Sequence, residues 1–274
     1  MRPENGEMVD QGAGFPIVMI PGIQGRWEWQ RPAFEALARR TRAIAYSLCG
    51  EPGSRGQLNF ADGFDAHVAQ LDGVLRRCGV DRVALCGVSY GGWIALRYAA
   101  RRPERVASLV LVSAPGPRFS PDARQRYYVR APWLWLPVFA VSTRRRLRPE
   151  VLAALPDRRE RWAFLRRQVA TMSRFPISPA LMARRMALAM REDFEQDARR
   201  IETPTLALTG EPRLDRVVPV ESTREYLSLI TGAREAVFPS TGHIGLVTRP
   251  EPWADMVTQF VKDSLHVPDF AGAH

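Results

Sequence analysis

Short apolar segments alternate with helical segments at both ends of the chain, and this alternation limits the possible folds more than any other feature. Runs such as 15–20 (FPIVMI) and 82–87 (RVALCG) have the length and apolar content of buried strands, whereas 60–78 has apolar residues at helical spacing. Parallel strands need crossover connections, which are usually helices, so the pattern predicts an α/β fold with a mostly parallel central sheet flanked by helices. The other predicted strands are 42–47, 106–113, 204–208 and 233–238, and the other predicted helices are 32–40, 91–100, 220–230 and 253–265.

The alternation stops in the middle of the chain. From 117 to about 200 there is no strand pattern, and the segment is rich in arginine with an aromatic patch at 133–136 (WLWL). A chain of 274 residues suits one domain that carries an insertion. We therefore predict a core made of residues 1–116 and 201–265, a helical cap insertion at 117–200, and a frayed tail at 266–274.

The chain is basic, with 39 Lys and Arg against 29 Asp and Glu and a formal charge of +10. The arginines are spread over several segments and are densest at Arg144, Arg145, Arg146 and Arg148. No zinc-finger, RNA-recognition or helix-turn-helix spacing accompanies them, so we predict solvated helix faces and no nucleic-acid partner. Whether this arginine-rich segment binds anions stays open.

Other residue patterns indicate where in the cell the chain is expected to act and which kinds of chemistry it is expected to use. No apolar run reaches the roughly 20 residues that span a bilayer, and no secretory leader is evident. The three cysteines form no CxxC pair, which indicates a reducing, cytoplasmic location. Because there is neither a metal-ligand cluster nor a dinucleotide fingerprint, we expect no metal and no cofactor.

A candidate nucleophile lies in residues 87–91, which read Gly-Val-Ser-Tyr-Gly. This Gly-x-Ser-x-Gly pattern falls between the strand 82–87 and the helix 91–100. A tight strand-to-helix turn needs small residues on both sides and exposes the serine hydroxyl above the end of the strand. We therefore predict Ser89 as the nucleophile. The alternative interpretation is a glycine-rich turn with a serine N-cap.

The candidate base is His243, because a serine hydroxyl needs a base to remove its proton. The chain has four histidines, and His266 and His274 lie in the predicted tail. His67 falls on a predicted helix, where a surface or packing role is the simpler interpretation. His243 instead follows the strand 233–238 in a loop with glycine on either side.

The candidate acid is Asp215, which follows the strand 204–208 and so lies at the same end of the sheet as the other two loops. An acid fixes the tautomer of the histidine and stabilises its cation. Glu211 is the nearest competitor for this role. Backbone donors for an oxyanion are expected from the Tyr90 N–H and from the turn after the first strand, at Ile23, with Gln24 next in line.

Four motifs give the chain its family resemblance. From about residue 15 to residue 265 it resembles the α/β-hydrolase superfamily, on VMIPGIQG, CGVSYGG, TGEPRLDRVVP and STGHIGLVTRPE. The resemblance implies a Ser89–Asp215–His243 triad and a helical cap between the fourth and fifth strands predicted above. Two features depart from the family pattern: Pro21 precedes the oxyanion-turn glycine, where His is frequent, and few residues precede the first strand. The two usual leading antiparallel strands must then be shortened or missing, with 8–10 as a stub.

The predicted activity is hydrolysis of a small or medium carboxylic ester through an acyl-enzyme. Gln24, Trp133, Trp135 and Leu136 are the candidate pocket residues, although packing of the cap onto the sheet explains the tryptophans equally well. Carbon–carbon bond hydrolysis, acyl transfer and perhydrolysis would use the same triad, and a non-catalytic ligand-binding protein is the alternative from another class. The expected partner is a small molecule, and homo-oligomerisation stays open.

Overall fold

The computed structural model describes residues 8–54 and 61–266, which form one seven-stranded sheet with helices on both faces. The order of strands across the sheet is β1-β3-β2-β4-β5-β6-β7. β1 runs antiparallel to β3, and every other neighbouring pair is parallel. The strands are β1 (Met8–Gln11), β2 (Pro16–Ile20), β3 (Arg42–Tyr46), β4 (Val83–Val88), β5 (Val106–Val112), β6 (Thr205–Thr209) and β7 (Arg234–Val237).

The sheet divides the interior into two apolar layers. Alternate residues of one strand face opposite sides, so in β5 Leu109 and Leu111 enter one layer while Val110 and Val112 enter the other. Both layers are covered by helices, which explains why β4 and β5 are buried at every position. The fold class predicted from the sequence is confirmed.

The first four of the six core helices connect successive strands, the last two follow the last strand, and together they cover both faces of the sheet. α2 and α3 pack in one layer, and α1 packs against α11 in the other. The core helices are α1 (Arg31–Ala38), α2 (Asp65–Cys78), α3 (Tyr90–Arg101), α9 (Val220–Leu229), α10 (Gly245–Thr248) and α11 (Pro250–His266).

Between β5 and β6 the described chain contains five helices and no strand. Four of them begin at a side chain that accepts a backbone N–H, namely Asp122, Asp157, Ser178 and Asp193. These local signals start helices in a segment whose apolar periodicity is weak. The five are α4 (Ala123–Arg130), α5 (Leu136–Ala154), α6 (Arg158–Arg174), α7 (Pro179–Ala189) and α8 (Phe194–Ala198).

The two ends of the chain refine the sequence predictions. The stub expected at 8–10 is the four-residue strand β1, whose antiparallel pairing with β3 closes that edge of the sheet. The predicted tail lies outside the described residues except for His266, which still belongs to α11. Residue 60, where we predict α2 to begin, is also outside them, and the helix starts at Asp65.

Among the helices of the described residues, none has both the length and the apolar character required to cross a membrane.

Candidate active site

Ser89 occupies the turn between β4 and α3 in a conformation that non-glycine residues rarely adopt. Its φ is 51° and its ψ is −120°. Such a conformation costs about 1–3 kcal/mol and persists only where surrounding contacts enforce it. Here the Ser89 N–H donates to Val112 O and the Ser89 carbonyl accepts from Gly92, at 2.8 Å each. The strain keeps the half-buried side chain at the C-terminal end of the sheet.

The glycines of the motif are required by close backbone approach. A Cβ on Gly87 would lie 2.4 Å from Gly91 O, and a Cβ on Gly91 would lie 2.4 Å from Ile20 O. Both distances are shorter than real Cβ contacts allow. The spacing Gly-x-Ser-x-Gly therefore lets α3 pack directly against the strands beside Ser89.

His243 and Asp215 are brought together from two different loops. His243 Nδ1 lies 3.4 Å from Asp215 Oδ2, and the Asp215 side chain is only 1% exposed. The other carboxyl oxygen, Oδ1, accepts the N–H groups of Val217 and Val218 at 3.1 Å each. These bonds hold the carboxylate in place and leave Oδ2 for the imidazole.

Electrostatics favour an ionised acid beside a basic imidazole. Burial alone would raise the pKa of Asp215, but His243 and the two backbone donors hold that pKa below its usual value. Burial alone would lower the pKa of His243, yet the Asp215 carboxylate raises that pKa above its usual value. An imidazole in this setting accepts a proton readily.

Glu211, the alternative acid, has other partners. Its Oε1 accepts the Ser240 N–H at 2.7 Å and its Oε2 pairs with Arg213 at 2.8 Å. Glu211 lies in the loop that carries Asp215 (the acid loop), and its bond to the Ser240 N–H connects this loop to the one that carries His243 (the histidine loop). Asp215 is thus the carboxylate that the structure places on His243.

Ser89 follows β4 and His243 follows β7. Because these strands are parallel, both residues lie at the C-terminal end of the sheet. Within the described residues no hydrogen bond joins the Ser89 hydroxyl to the imidazole. Such bonds are often long without substrate and tighten when it binds. The structure therefore assembles the acid–base pair at the end of the sheet where Ser89 lies.

The predicted oxyanion turn, at residues 21–25, lies directly against Ser89. A Cβ on Gly22 would be 3.6 Å from Ser89 Cβ and 3.0 Å from Gln24 Oε1. Gly25 N donates to Gly22 O at 2.9 Å, which closes a tight turn with Ile23 and Gln24 at its centre. The predicted donor at Ile23 and the predicted pocket residue Gln24 are therefore both close to the nucleophile.

Tyr90, the second predicted donor, is the first residue of α3. A helix leaves its first N–H groups without intrahelical partners, so the Tyr90 N–H is available beside Ser89. The Tyr90 side chain is buried, and its hydroxyl donates to Arg185 O at 3.1 Å. His67 lies 3.2 Å from the same hydroxyl, and burial lowers the pKa of His67 to about 3. His67 is accordingly a neutral packing residue.

Arg185 of α7 is a site residue that the sequence did not reveal. Its side chain is completely buried and donates to Ile23 O at 3.0 Å and to Cys49 O at 3.1 Å. It also pairs with Glu51, itself 1% exposed, at 2.8 Å. Arg185 thus fixes the carbonyl side of the oxyanion turn from the cap.

Glu150 of α5 is the second residue that sequence reasoning missed. It is fully buried, and it accepts the N–H of Ile244, the residue after His243, at 2.9 Å. In the sequence it follows an arginine-rich run that indicates an exposed helix face. No sequence signal marks it as buried.

The aromatic patch of the cap lies largely on the surface. Trp133 is 64% exposed, and Trp135, half-buried, contacts the ring of Tyr127 at 5.9 Å between centroids. Packing of the cap onto the sheet does not explain a Trp133 this exposed, and its place in a substrate pocket stays a prediction. Leu136 is half-buried at the start of α5. An open groove of about 650 Å³ begins one residue further on, lined by Pro137, Val138, Val141, Ser142, Arg145, Arg146 and Arg216.

Comparison with known proteins agrees with this architecture. The family model for the alpha/beta hydrolase fold matches residues 16–250. The chain is 31% identical over 261 residues to a 2-hydroxy-6-oxo-2,4-heptadienoate hydrolase of Pseudomonas putida, covering 92% of this chain and 91% of that protein. It is 30% identical to a 2-hydroxymuconate semialdehyde hydrolase of a Pseudomonas species, covering 93% of this chain and 89% of that protein.

A solved structure shows the same fold at lower identity. An esterase from Exiguobacterium antarcticum superposes with a TM-score of 0.76 at 20% identity, covering 93% of this chain and 94% of that one. At this identity the likeness establishes the fold alone.

Proposed function

The chain belongs to the alpha/beta hydrolase family, and from that premise we propose that it is a serine hydrolase that cleaves small-to-medium carboxylic esters through an acyl-enzyme. The observation that carries this proposal is the strained backbone of Ser89, at the sheet edge that also holds the His243–Asp215 pair. Residues with backbone strain of this kind cluster at active sites and ligand-binding sites. A non-catalytic binding protein would need neither the strained turn nor the acid–base pair.

In the proposed reaction Ser89 Oγ attacks the ester carbonyl carbon while His243 takes the hydroxyl proton. The N–H groups of Ile23 and Tyr90 stabilise the oxyanion. The intermediate then breaks its bond to the alcohol, which leaves with the proton held by His243. A water molecule, deprotonated by His243, attacks the acyl-enzyme, and the carboxylic acid is released with Ser89 restored. Asp215 stabilises the imidazolium in both halves of the reaction.

The surroundings of Arg185 support a substrate without a carboxylate at the nucleophile. This arginine lies against the predicted oxyanion turn, but its charge is paired with Glu51, its two terminal nitrogens donate to backbone carbonyls, and its Nε is buried. It is therefore committed to the protein and is not presented to a substrate anion. An uncharged ester fits this arrangement.

Carbon–carbon bond hydrolysis is the second candidate, favoured by the two relatives at 31% and 30% identity. The compound in the name of the first contains a ketone and a carboxylate but no ester. Its hydrolysis must break a carbon–carbon bond and protonate the departing carbon. The Ser89, His243 and Asp215 arrangement could serve this chemistry as well.

Hydrolysis of p-nitrophenyl acetate and butyrate tests the ester proposal, with 2-hydroxy-6-oxo-2,4-heptadienoate as the competing substrate. We expect ester turnover that is lost in Ser89→Ala and retained in Ser173→Ala, a matched serine exposed on the cap. A fluorophosphonate probe should label the folded protein at Ser89. Equal ester rates in the wild type and in Ser89→Ala would exclude the nucleophile. A kcat/KM on the dienoate well above that on either ester would favour the second candidate.

We also propose a reducing, cytoplasmic location. The support is that Cys49, Cys78 and Cys86 are all free thiols, with Cys49 and Cys86 buried.

A further inference from the structure

A carboxylate from the cap also reaches the histidine loop. Glu150 lies near the end of α5, and its side chain has no solvent exposure. Its Oε1 accepts the Ile244 N–H at 2.9 Å, and its carboxyl also faces the N–H of Gly242. The residue after His243 is therefore held by a side chain from a different part of the chain.

Burial of the Glu150 carboxyl lowers the stability of the fold more than burial of an apolar side chain would. Burying a carboxylate costs several kcal/mol unless charges or hydrogen bonds compensate it. Glu150 Oε2 is buried with no hydrogen-bond partner among the described residues. Pro149, which precedes it inside α5, removes one helix hydrogen bond. An apolar side chain would satisfy the packing without these penalties.

The charged neighbours of Glu150 belong to the proposed acid–base pair. The titratable groups that face it are His243 and Asp215, and α10, which packs against α5, carries no titratable side chain. The Glu150 carboxylate contributes to the raised pKa of His243, together with Asp215. One imidazole therefore responds to two carboxylates, one from the acid loop and one from the cap.

We propose that Glu150 is a positioning residue that fixes the His243 loop through the Ile244 N–H and brings a buried acidic group to His243 from the cap side. The proposal rests on the proposed function, because it concerns the same base. It makes the cap part of the acid–base machinery: a movement of α5 changes both the place and the basicity of His243. Burial raises the pKa of Glu150 itself to about 7, against the lowering effect of His243 and the two N–H groups. The protonation of Glu150 and that of His243 therefore depend on each other.

Two substitutions separate the hydrogen bond from the charge. Glu150→Gln keeps an acceptor for Ile244 but removes the negative charge, whereas Glu150→Ala removes both. We expect Glu150→Ala to lower kcat/KM by roughly 100-fold through misplacement of His243. We expect Glu150→Gln to retain most of the activity at pH 8 and to move the acidic limb of the kcat/KM profile to lower pH. Glu160→Gln, an exposed glutamate of α6 in the same cap, is the matched control and should change neither quantity.

A second readout does not depend on turnover. In the Ser89→Ala background, the imidazole proton resonance of His243 can be titrated by NMR and assigned by its loss in His243→Gln. We expect the pKa of His243 to fall when Glu150→Gln is added and to stay unchanged when Glu160→Gln is added. Because Ser89→Ala cannot turn over, this result stands even if the substrate proposal fails.

The outcomes are distinct. An unchanged His243 titration in Glu150→Gln would overturn the electrostatic part of the proposal. Equal activity losses in Glu150→Gln and Glu150→Ala, with an unmoved acidic limb, would assign Glu150 a purely structural role. If every variant, including Ser89→Ala, keeps its ester turnover, the proposed function is instead refuted.

Discussion

Replacing Gly91 by alanine tests whether α3 must approach the backbone beside the oxyanion turn. A Cβ on Gly91 would lie 2.4 Å from Ile20 O and 2.6 Å from Pro21 O. Both are backbone atoms, so neither can rotate away as the end of a flexible side chain would. Ordinary contact begins at 3.4 Å, which leaves the added methyl about 1 Å too close.

The helix must therefore move away from β2 by roughly that distance, and Ser89 moves with it. Overpacking of this kind costs about 1–3 kcal/mol in the free energy of unfolding. A displacement of about 1 Å between a nucleophile and its oxyanion donors lowers kcat/KM by roughly 100-fold. Gly91→Ala should thus lose both stability and activity.

Gly73→Ala is the matched control, because it makes the same substitution within α2. The nearest atoms to a Cβ there are the ends of the Arg76 and Arg77 side chains, each at 3.8 Å. Alanine should stabilise this helix by about 0.5–1 kcal/mol and leave activity unchanged. Urea unfolding followed by tryptophan fluorescence and p-nitrophenyl butyrate kinetics would measure both effects. Gly91→Ala with wild-type stability and activity within twofold would refute the argument from close approach.

Three further predictions concern the acid, the base and the oxyanion turn. Asp215→Asn should lower kcat/KM on p-nitrophenyl butyrate by about 10⁴-fold, with Glu211→Gln nearly neutral, and the reverse order would transfer the acid role to Glu211. The kcat/KM should rise with pH along a limb above the ordinary histidine pKa of 6.5, because His243 must be neutral to accept a proton and its pKa is raised; a flat profile from pH 5 to 8 would contradict this. Arg185→Met should destabilise the protein by about 3–5 kcal/mol in urea unfolding, since it leaves the Glu51 carboxylate buried and unpaired. The double variant with Glu51→Met should lose less than the sum of the single losses, and strict additivity would show that the pair is not coupled.

The sheet could be predicted from the sequence because its strands carry their signal locally. Buried parallel strands are continuous apolar runs, and each predicted run became a strand of the sheet within about one residue at either end. The candidate nucleophile, acid and base were predictable for a related reason. Each follows a strand, and parallel strands end at one edge of the sheet.

The contacts between cap and core could not be predicted in this way. Arg185 reaches Glu51 across 134 positions of sequence, and Glu150 reaches Ile244 across 94. Each lies in a segment rich in charged residues, where burial of a single side chain leaves no periodic signal. The exposure of Trp133 could not be predicted either, because a large aromatic side chain usually indicates burial.

The burial of Glu150 predicts a dependence of stability on pH that can be separated from its effect on the reaction. A carboxyl whose pKa is raised from 4.5 to about 7 in the folded protein binds its proton more tightly there than in the unfolded chain. The free energy of unfolding must then decrease as pH rises from about 4.5 to 7, by about 3 kcal/mol from this group. Glu150→Gln has no proton to lose, so urea unfolding of that variant should show a shallower decrease and greater stability than the wild type at pH 8. If the two proteins lose stability in parallel over this range, Glu150 is not a strained buried acid. If they diverge as expected, the chain keeps at this position a carboxylate that weakens its fold, which is understandable where the same charge acts on His243.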